Sequence, residues 1–392
     1  REAASGVTVE RFQPMIVHRA VPLLTAALLL LTTLAVSRAQ DPAPLDSATR
    51  HLLYVAVPGI RDEPQHGGTG ILVFDIDHDH QFLRRIPVPA LGDEKHPQAA
   101  KGICANSVTQ RLYVSTPKNL TCIDLSTDKV IWEKTYPSGC DRMSITPDGK
   151  AIFEPTLEGQ YWHVIYAETG VELAKITTGG GAHNTICGLD GKHVYLAGLK
   201  SPMLAVADSG TYSVEINVGP FAAPIRPFTV NGRGTLAYLC MNNLLGFEIG
   251  DLPTGKKLYR VEVQGFAVGP TERHGCPSHG IGLTPDEKEL WLCDAHNNRM
   301  HVFDNTVMPP RQGTSIEVRG QPGWITFSLD GRYAYPSTGD VIDVASKRIT
   351  AGLQDEHGRE VASEKLLEID FTGDKPSRTG DQFGLGRVMV VR

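Results

Sequence analysis

The stretch Ser144-Ile145-Thr146-Pro147-Asp148-Gly149-Lys150-Ala151-Ile152-Phe153 contains two short apolar runs joined by a turn. Aspartate accepts hydrogen bonds from the backbone of its own turn, and glycine adopts left-handed backbone angles without steric cost. The stretch therefore predicts a β-hairpin whose second strand carries an aromatic side chain. Comparable turns occur at Leu189-Asp190-Gly191-Lys192, Pro285-Asp286-Glu287-Lys288 and Leu329-Asp330-Gly331-Arg332.

Seven units of the chain share the register of this hairpin. Each has an aromatic residue beside apolar ones, and successive aromatics are 40 to 59 residues apart. These aromatics are Tyr54, Tyr113, Phe153, Tyr195, Tyr238, Trp291 and Tyr335. A repeat of about 40 to 50 residues is typical of propeller blades. We therefore predict an all-β chain that forms a seven-bladed β-propeller with four-stranded antiparallel blades.

The pattern resembles the bacterial YVTN-type β-propeller repeat, in which a Pro-Asp-Gly-Lys turn precedes a Tyr-Val strand. Residues 144–150 and 278–286 carry the resemblance, which covers roughly residues 50 to 371. The second unit departs from it, because Val108-Thr109-Gln110 stands where the turn should read Asp-Gly-Lys. The resemblance implies the fold but not the function, since such propellers include binding proteins, lactonases and metalloenzymes.

Closure of the ring requires a strand from elsewhere in the chain, because the first unit has almost no room for an inner strand before Leu52. The segment 364–371 is an additional strand of alternating polarity after the seventh aromatic. We predict that it pairs with the first unit and closes the ring, which also removes exposed sheet edges. The propeller is then expected to span residues 40–371, with residues 372–392 forming a C-terminal tail that crosses one face.

The residues before the repeats predict export. Residues 15–19 carry positive charge, residues 21–36 are apolar, and Ser37 and Ala39 have the spacing that a signal peptidase accepts. We predict a signal peptide at 15–39, preceded by a non-native upstream extension at 1–14, and a periplasmic or secreted protein. The alternative is an uncleaved membrane anchor, but the apolar stretch is short for a span of about 20 residues. No membrane span is expected after removal of the signal.

Composition narrows the classes of partner. The net charge is -6 and no basic run is present, so nucleic acid is not an expected partner. The seven cysteines lie in the exported part, where disulfides persist, and Cys276 and Cys293 are the best candidate pair. The chain has no Cys-x-x-Cys-His motif, so covalent c-type haem is not expected. His78 and His80 fall at a predicted outer hairpin and are expected to be solvated.

The register predicts which side chains face the central channel. The residue seven positions before each turn should begin an inner strand; the rule selects Lys101, Asp141, His183, Arg226, His279 and Gly323. The adjacent positions add Arg142 and Asn184. All of these except Gly323 are candidates for ligand binding. Arginine and lysine at a channel mouth would bind an anionic substrate or stabilise an oxyanion.

Imidazoles beside a carboxylate can hold a transition metal. The candidate metal ligands are His183 and His279, Glu154 at the end of an aromatic strand, and His66 and His96 in long loops. A divalent ion at His183, His279 and Glu154 would suit a metal-dependent hydrolase or lactonase, and the four histidines would suit a copper-type redox enzyme. Solvated or mutually paired side chains at a wet channel mouth are the simpler structural explanation.

The simplest function for this chain is therefore that of a binding or interaction protein. It would present the polar channel face to a small molecule, a glycan or a protein. Metal-dependent hydrolysis and copper-type redox chemistry are the alternatives at the same face. The sequence identifies no catalytic residue and no cofactor beyond the candidate divalent metal.

Overall fold

The computed structural model describes residues 49–270 and 273–389. These residues form seven antiparallel blades, and contacts between the inner strands of successive blades run around the ring and return to the first blade. The predicted all-β, seven-bladed β-propeller is therefore confirmed. The predicted extension at 1–14 and signal peptide at 15–39 lie outside the described residues. In the described part of the chain, no helix is both long and apolar enough to cross a membrane.

The strands are numbered in chain order. The first blade contains β1 (Thr49–Val57), β2 (Gly70–Asp75) and β3 (Gln81–Ile86), with 3-10 turns at Ile76–His78 and Pro89–Leu91. A short hairpin of β4 (Gly92–Asp93) and β5 (His96–Pro97) leads to the second blade. The second blade contains β6 (Gly102–Asn106), β7 (Arg111–Ser115), β8 (Asn119–Asp124) and β9 (Val130–Thr135). The third contains β10 (Ser144–Ile145), β11 (Ala151–Pro155), β12 (Tyr161–Tyr166) and β13 (Val171–Thr177).

The remaining blades repeat this plan, each with its inner strand first. The fourth contains β14 (Ala182–Cys187), β15 (His193–Gly198), β16 (Leu204–Asp208) and β17 (Val214–Val218). The fifth contains β18 (Ile225–Val230), β19 (Leu236–Met241), β20 (Gly246–Asp251) and β21 (Lys256–Glu262). The sixth contains β22 (Ile281–Leu283), β23 (Glu289–Asp294), β24 (Arg299–Asp304) and β25 (Arg311–Glu317). The seventh contains β26 (Ile325–Phe327), β27 (Tyr333–Pro336), β28 (Asp340–Asp343) and β29 (Arg348–Gly352).

The chain then returns to the first blade through β30 (Leu366–Thr372) and β31 (Lys375–Thr379). Strand β30 pairs antiparallel with β1 over seven residue pairs, from Thr49 opposite Thr372 to Val55 opposite Leu366. It supplies the inner strand that the first blade lacks, which confirms the predicted closure of the ring by a C-terminal strand. Strand β31 pairs with β30 and extends this sheet to five strands.

The core consists of seven apolar clusters, one at each interface between neighbouring blades. Because both faces of each blade are covered, the three inner strands are mostly apolar, whereas the outer strands alternate between half-buried and exposed residues. The seven repeated aromatics are all at most 1% exposed, as expected for side chains that pack between blades. Burial between blades is therefore the main stabilisation of the ring.

The hairpin turns have the predicted chemistry. Asp148 Oδ1 accepts a hydrogen bond from the backbone N–H of Lys150, and Gly149 has a φ of 72°. In the irregular second unit, Val108 stands at the aspartate position, and the acceptor comes from Asn106, two residues earlier, whose Oδ1 accepts a hydrogen bond from the backbone N–H of Thr109. An amide therefore stabilises the turn where the Asp-Gly-Lys sequence is missing.

The tail crosses the end of the channel at which the inner strands finish. Gly384 O accepts hydrogen bonds from Leu283 N at 2.8 Å and from Thr229 Oγ1 at 2.7 Å, and Gln382 Oε1 accepts from Ile103 N at 2.6 Å. These bonds join the tail to three different blades. The polar side chains at the starts of the inner strands lie at the other end of the channel.

Two expectations about side chains are wrong. All seven cysteines are buried free thiols, and the thiol of Cys276 lies 3.3 Å from Ser278 O instead of forming a disulfide with Cys293. His78 is exposed as expected, but His80 is buried and its Nε2 lies 2.9 Å from the Tyr335 hydroxyl. The left-handed backbone of His80 turns its ring towards the seventh blade, and burial lowers its pKa to about 4.

Truncation of Leu367 tests the contribution of the closing strand. Leu367 is fully buried in the cluster between the first and second blades. We expect Leu367→Ala to lower the free energy of unfolding by about 2 to 5 kcal/mol, as measured by urea unfolding. The control is Leu173→Ala on the outer strand β13, where the side chain is half exposed and the change should be within about 0.5 kcal/mol. Equal stability of the two variants would contradict this role of β30.

Candidate functional site

The inner strands run in the same direction through the ring, so their first residues meet at one mouth of the channel. A cavity of about 270 Å³ lies there and is called the mouth cavity below. Five of the seven predicted ligand-binding residues line it: Lys101, Arg142, His183, Arg226 and His279. The other two, Asp141 and Asn184, lie next to lining residues in the chain and are completely buried.

The strand register explains this convergence. Lys101 immediately precedes β6, Arg142 lies two residues before β10, and His279 lies two residues before β22. His183 and Arg226 are the second residues of β14 and β18. Each side chain therefore stands at nearly the same height in its blade, and the ring brings residues that are far apart in sequence into one wall.

The centre of one side of the cavity is an Asp141–His183–Arg142 chain. Arg142 Nη1 lies 3.0 Å from His183 Nε2, and His183 Nδ1 lies 2.6 Å from Asp141 Oδ2. Guanidinium groups only donate, so Nε2 accepts and Nδ1 carries the proton that it donates to Asp141. Burial lowers the pKa of His183, and the imidazole is neutral at pH 7. Although burial opposes it, His183 and Arg142 hold the pKa of Asp141 below its ordinary value.

Glu154 lies behind this chain and does not line the cavity. Its Oε1 accepts a hydrogen bond from the backbone N–H of Asp141 at 2.7 Å, and burial raises its pKa well above the ordinary range. A protonated carboxyl that fixes the Asp141 backbone fits this environment. The structure therefore does not bring Glu154 together with His183 and His279 as a set of metal ligands.

His66 and His96 also lie away from the mouth cavity. His66 Nε2 is 3.4 Å from Glu63 Oε2 in the loop between β1 and β2. His96 is 84% exposed and lies 3.5 Å from Asp93. Of the four histidines of the predicted copper-type site, only His183 and His279 line the cavity.

The register rule does not predict five further residues that line the cavity. They are Arg61, Arg273, His274, Glu364 and Lys365. Leu367 pairs with the aromatic Tyr54 as Ser144 pairs with Phe153, so Glu364 and Lys365 occupy the positions of Asp141 and Arg142 in the third blade. The register rule uses the turn before each aromatic residue, and no such turn follows the closing strand. Alignment of residues 364–371 as a seventh inner strand would have found both. His274 lies in an irregular connection that no repeat pattern covers.

Glu364 is the hub of the cavity. Its Oε2 accepts hydrogen bonds from Arg142 Nη2 at 2.8 Å and Lys365 Nζ at 2.6 Å, and its Oε1 lies 2.9 Å from His274 Nδ1. Burial alone would raise the pKa of Glu364. Lys365, His274 and Arg142 overcome that effect and hold the pKa well below its ordinary value, so the carboxylate is charged.

Lys365 in this wall titrates near neutrality. Burial lowers its pKa to about 7, against the attraction of Glu364. Trp324 lies beside it, with the Arg142 guanidinium 4.9 Å and the Lys365 ammonium 5.7 Å from the indole ring centre. The indole face gives both cations a favourable neighbour that carries no charge.

Two imidazoles and Glu364 also form a group with metal-ligand spacing. One ligand atom from each of His274, His279 and Glu364 lies within 4.8 Å of the others. His274 Nε2 lies 2.9 Å from Gln321 O, and His279 Nδ1 lies 3.0 Å from Gly323 O. Each ring therefore donates one N–H to a backbone carbonyl. The second nitrogen of His274, Nδ1, faces Glu364 Oε1, and the second nitrogen of His279 is Nε2. Ligands in metalloproteins are oriented in this way.

Comparison with known proteins adds no family. No protein-family model matches the chain, and no curated protein matches it significantly in sequence. The propeller assignment therefore stands on the structure, and the YVTN-type resemblance stays a prediction from the sequence.

Proposed function

We propose that this protein binds a small organic anion, with carboxylate or phosphate-like groups, in the mouth cavity. The propeller supplies a rigid binding scaffold, and the predicted signal peptide supports a role in the periplasm or outside the cell. The observation that carries the proposal is the excess of cationic side chains around the cavity.

Six cationic residues and two acidic residues line the mouth cavity. The cations are Arg61, Lys101, Arg142, Arg226, Arg273 and Lys365, and the acids are Glu158 and Glu364. Glu364 is already paired with two of the cations, and Glu158 is exposed. Charges in a concave, partly buried site are screened less than charges on the surface. The cavity therefore favours an anion over a neutral ligand.

Arg142 provides a specific reason for an oxygen-rich ligand. Two of its nitrogens are occupied by His183 and Glu364, but Nε is buried and has no acceptor among the described residues. An unsatisfied buried donor is costly, typically about 1 to 3 kcal/mol. A ligand oxygen at this position would satisfy it.

The cavity volume limits the ligand. About 270 Å³ accommodates a small molecule and not a folded partner or a duplex nucleic acid. An anionic group of a glycan or peptide could enter only as a terminal residue. A free small molecule therefore fits the site best.

Metal-assisted hydrolysis of such an anion is a second candidate function. It is supported by the two oriented imidazoles and the carboxylate of His274, His279 and Glu364. A divalent ion held there would activate water for attack on an ester or lactone. Arg142 and Lys365 would then hold the substrate anion in place.

Removal of a single cavity charge tests the binding function. We expect sulfate and succinate to bind, and Lys101→Met to weaken both affinities by about 10- to 100-fold through loss of a charge-assisted hydrogen bond. Isothermal titration calorimetry measures both affinities. Lys129→Met is the matched control, because Lys129 is exposed in the β8–β9 turn at the opposite end of the ring. Equal losses in both variants, or no binding by the unmodified protein, would refute the proposal.

Sulfate binding should also depend on pH. Lys365 is charged below about pH 7 and neutral above it, so raising the pH from 6 to 8 removes one positive charge from the cavity wall. Sulfate keeps its charge over this range. We therefore expect its affinity to fall as the pH rises, and Lys365→Met to bind weakly at both pH values. A pH-independent affinity in the unmodified protein would contradict the titration of Lys365 in the wall of the anion site.

The second candidate is tested by turnover. If it operates, hydrolysis of a lactone that carries a free carboxylate, 5-oxotetrahydrofuran-2-carboxylate, should require added Zn²⁺ or Mn²⁺, and His274→Ala should lower the rate by about 10-fold or more in a pH-stat assay. His193→Ala is the control, because His193 pairs with Asp190 in a surface turn. Sulfate binding without metal-stimulated hydrolysis would leave anion binding as the function.

A further inference from the structure

We propose that the seam where the ring closes holds a buried divalent metal ion, bound by His51, Glu368 and Asp370. This site is separate from the mouth cavity and is independent of the proposed function.

The pairing of β1 with β30 brings the three residues together. His51 in β1 lies directly opposite Asp370 in β30, and Glu368 stands two residues before Asp370, so all three side chains project from the same face of the sheet. That face packs against the seventh blade, as shown by the cluster that joins Leu53 and Leu366 to Tyr335. One ligand atom from each of the three residues lies within 4.8 Å of the others.

The site is buried and two of its polar atoms have no partner. His51, Glu368 and Asp370 are at most 3% exposed. His51 Nε2 and Asp370 Oδ1 are buried and make no hydrogen bond with any described residue. Buried polar atoms are nearly always satisfied in folded proteins, so two such atoms at one point indicate a missing partner.

The remaining atoms of these side chains are held by a second layer of contacts. His51 Nδ1 donates to Asp77 Oδ1 at 2.8 Å, which leaves Nε2 with a lone pair. Asp370 Oδ2 accepts from Arg378 Nε at 2.7 Å, and Glu368 Oε2 accepts from Leu329 N at 2.6 Å. A carboxylate–histidine pair of the Asp77–His51 kind is the usual support for a metal-binding imidazole.

Charge also favours a cation at this position. Two carboxylates are buried side by side, and Arg378 is the one cation in contact with them among the described residues. Burial and the neighbouring Asp370 raise the pKa of Glu368 well above its ordinary value, so a proton is the competing occupant. A divalent ion would neutralise both carboxylates and would bind both His51 Nε2 and Asp370 Oδ1. A proton on Glu368 cannot provide a partner for both of these atoms at once.

The types of ligand atom indicate which metal ions this site would bind. One imidazole nitrogen and two carboxylate oxygens suit Zn²⁺ or Mn²⁺ better than Mg²⁺ or Ca²⁺, which prefer all-oxygen sites. The ligands come from β1, the first strand of the first blade, and from β30, the strand that closes the ring. A metal ion here would therefore cross-link the two ends of the propeller and stabilise its closed form.

The first experiment measures metal and stability together. The purified protein is stripped with EDTA, dialysed and titrated with ZnCl₂, with bound zinc measured by elemental analysis and unfolding by differential scanning calorimetry. We expect a tightly bound equivalent that raises the unfolding temperature by roughly 3 °C or more. Glu368→Gln should abolish that equivalent and the temperature shift, and Asp77→Asn should weaken zinc binding by about 10- to 100-fold.

Two controls separate this site from others. Asp374→Asn changes an exposed aspartate just beyond β30 and should leave zinc binding unchanged. Glu364→Gln removes the carboxylate of the mouth cavity and should also leave the seam equivalent intact. Loss of zinc in Glu364→Gln but not in Glu368→Gln would overturn the proposal, as would the absence of any zinc-dependent stabilisation.

A direct location does not depend on how the variants fold. Anomalous diffraction at the zinc edge from crystals of the unmodified, zinc-loaded protein should show a peak between His51, Glu368 and Asp370. A peak only at the mouth cavity, or on the surface, would refute the seam site.

Discussion

The pairing of β30 with β1 is the interaction on which the rest of this structure depends. A propeller blade cannot cover its own faces, and both apolar interfaces of the first blade contain side chains from β30. Along β30, Leu367 and Ile369 face the second blade, and Glu368 and Asp370 face the seventh. The two residues before the strand complete the wall of the mouth cavity. One segment thus closes the fold, seals a core interface and supplies the hub of the candidate site.

The electrostatics of the mouth cavity follow from enclosure. Six cations would repel one another if they surrounded a dry cavity without a counter-charge, and Glu364 is the one buried carboxylate that lines it. Buried ion pairs gain little net stability, because desolvation cancels most of their attraction. The arrangement around Glu364 therefore contributes little to the stability of the ring, and it agrees with the proposed anion site. The pKa of Lys365 is lowered for the same reasons, which are burial and the positive charge nearby.

Departures from the repeat occur where the structure has another requirement. In the sixth blade, Glu287 replaces the turn glycine and adopts a φ of 60°. Its Oε1 accepts hydrogen bonds from Gly232 N at 2.7 Å and Val388 N at 3.0 Å, which fixes the tail against two blades. The second unit loses its aspartate turn and uses Asn106 instead. In each case, a specific side-chain hydrogen bond is present where the turn sequence departs from the repeat.

The repeat pattern was sufficient to predict the number of blades, the closing strand and five of the residues that line the mouth cavity, because each follows from a local hairpin repeated in register. It could not predict that His274 lines the cavity, because the position of His274 depends on an irregular connection. It also could not predict the contacts of Glu364 with Arg142 and His274, which lie in other parts of the ring. It also could not show that Glu154 is shielded from the cavity, that His80 is buried, or that His51 meets Asp370. Those facts depend on the distance and direction between side chains of different strands and blades, and only packing of the closed ring fixes them.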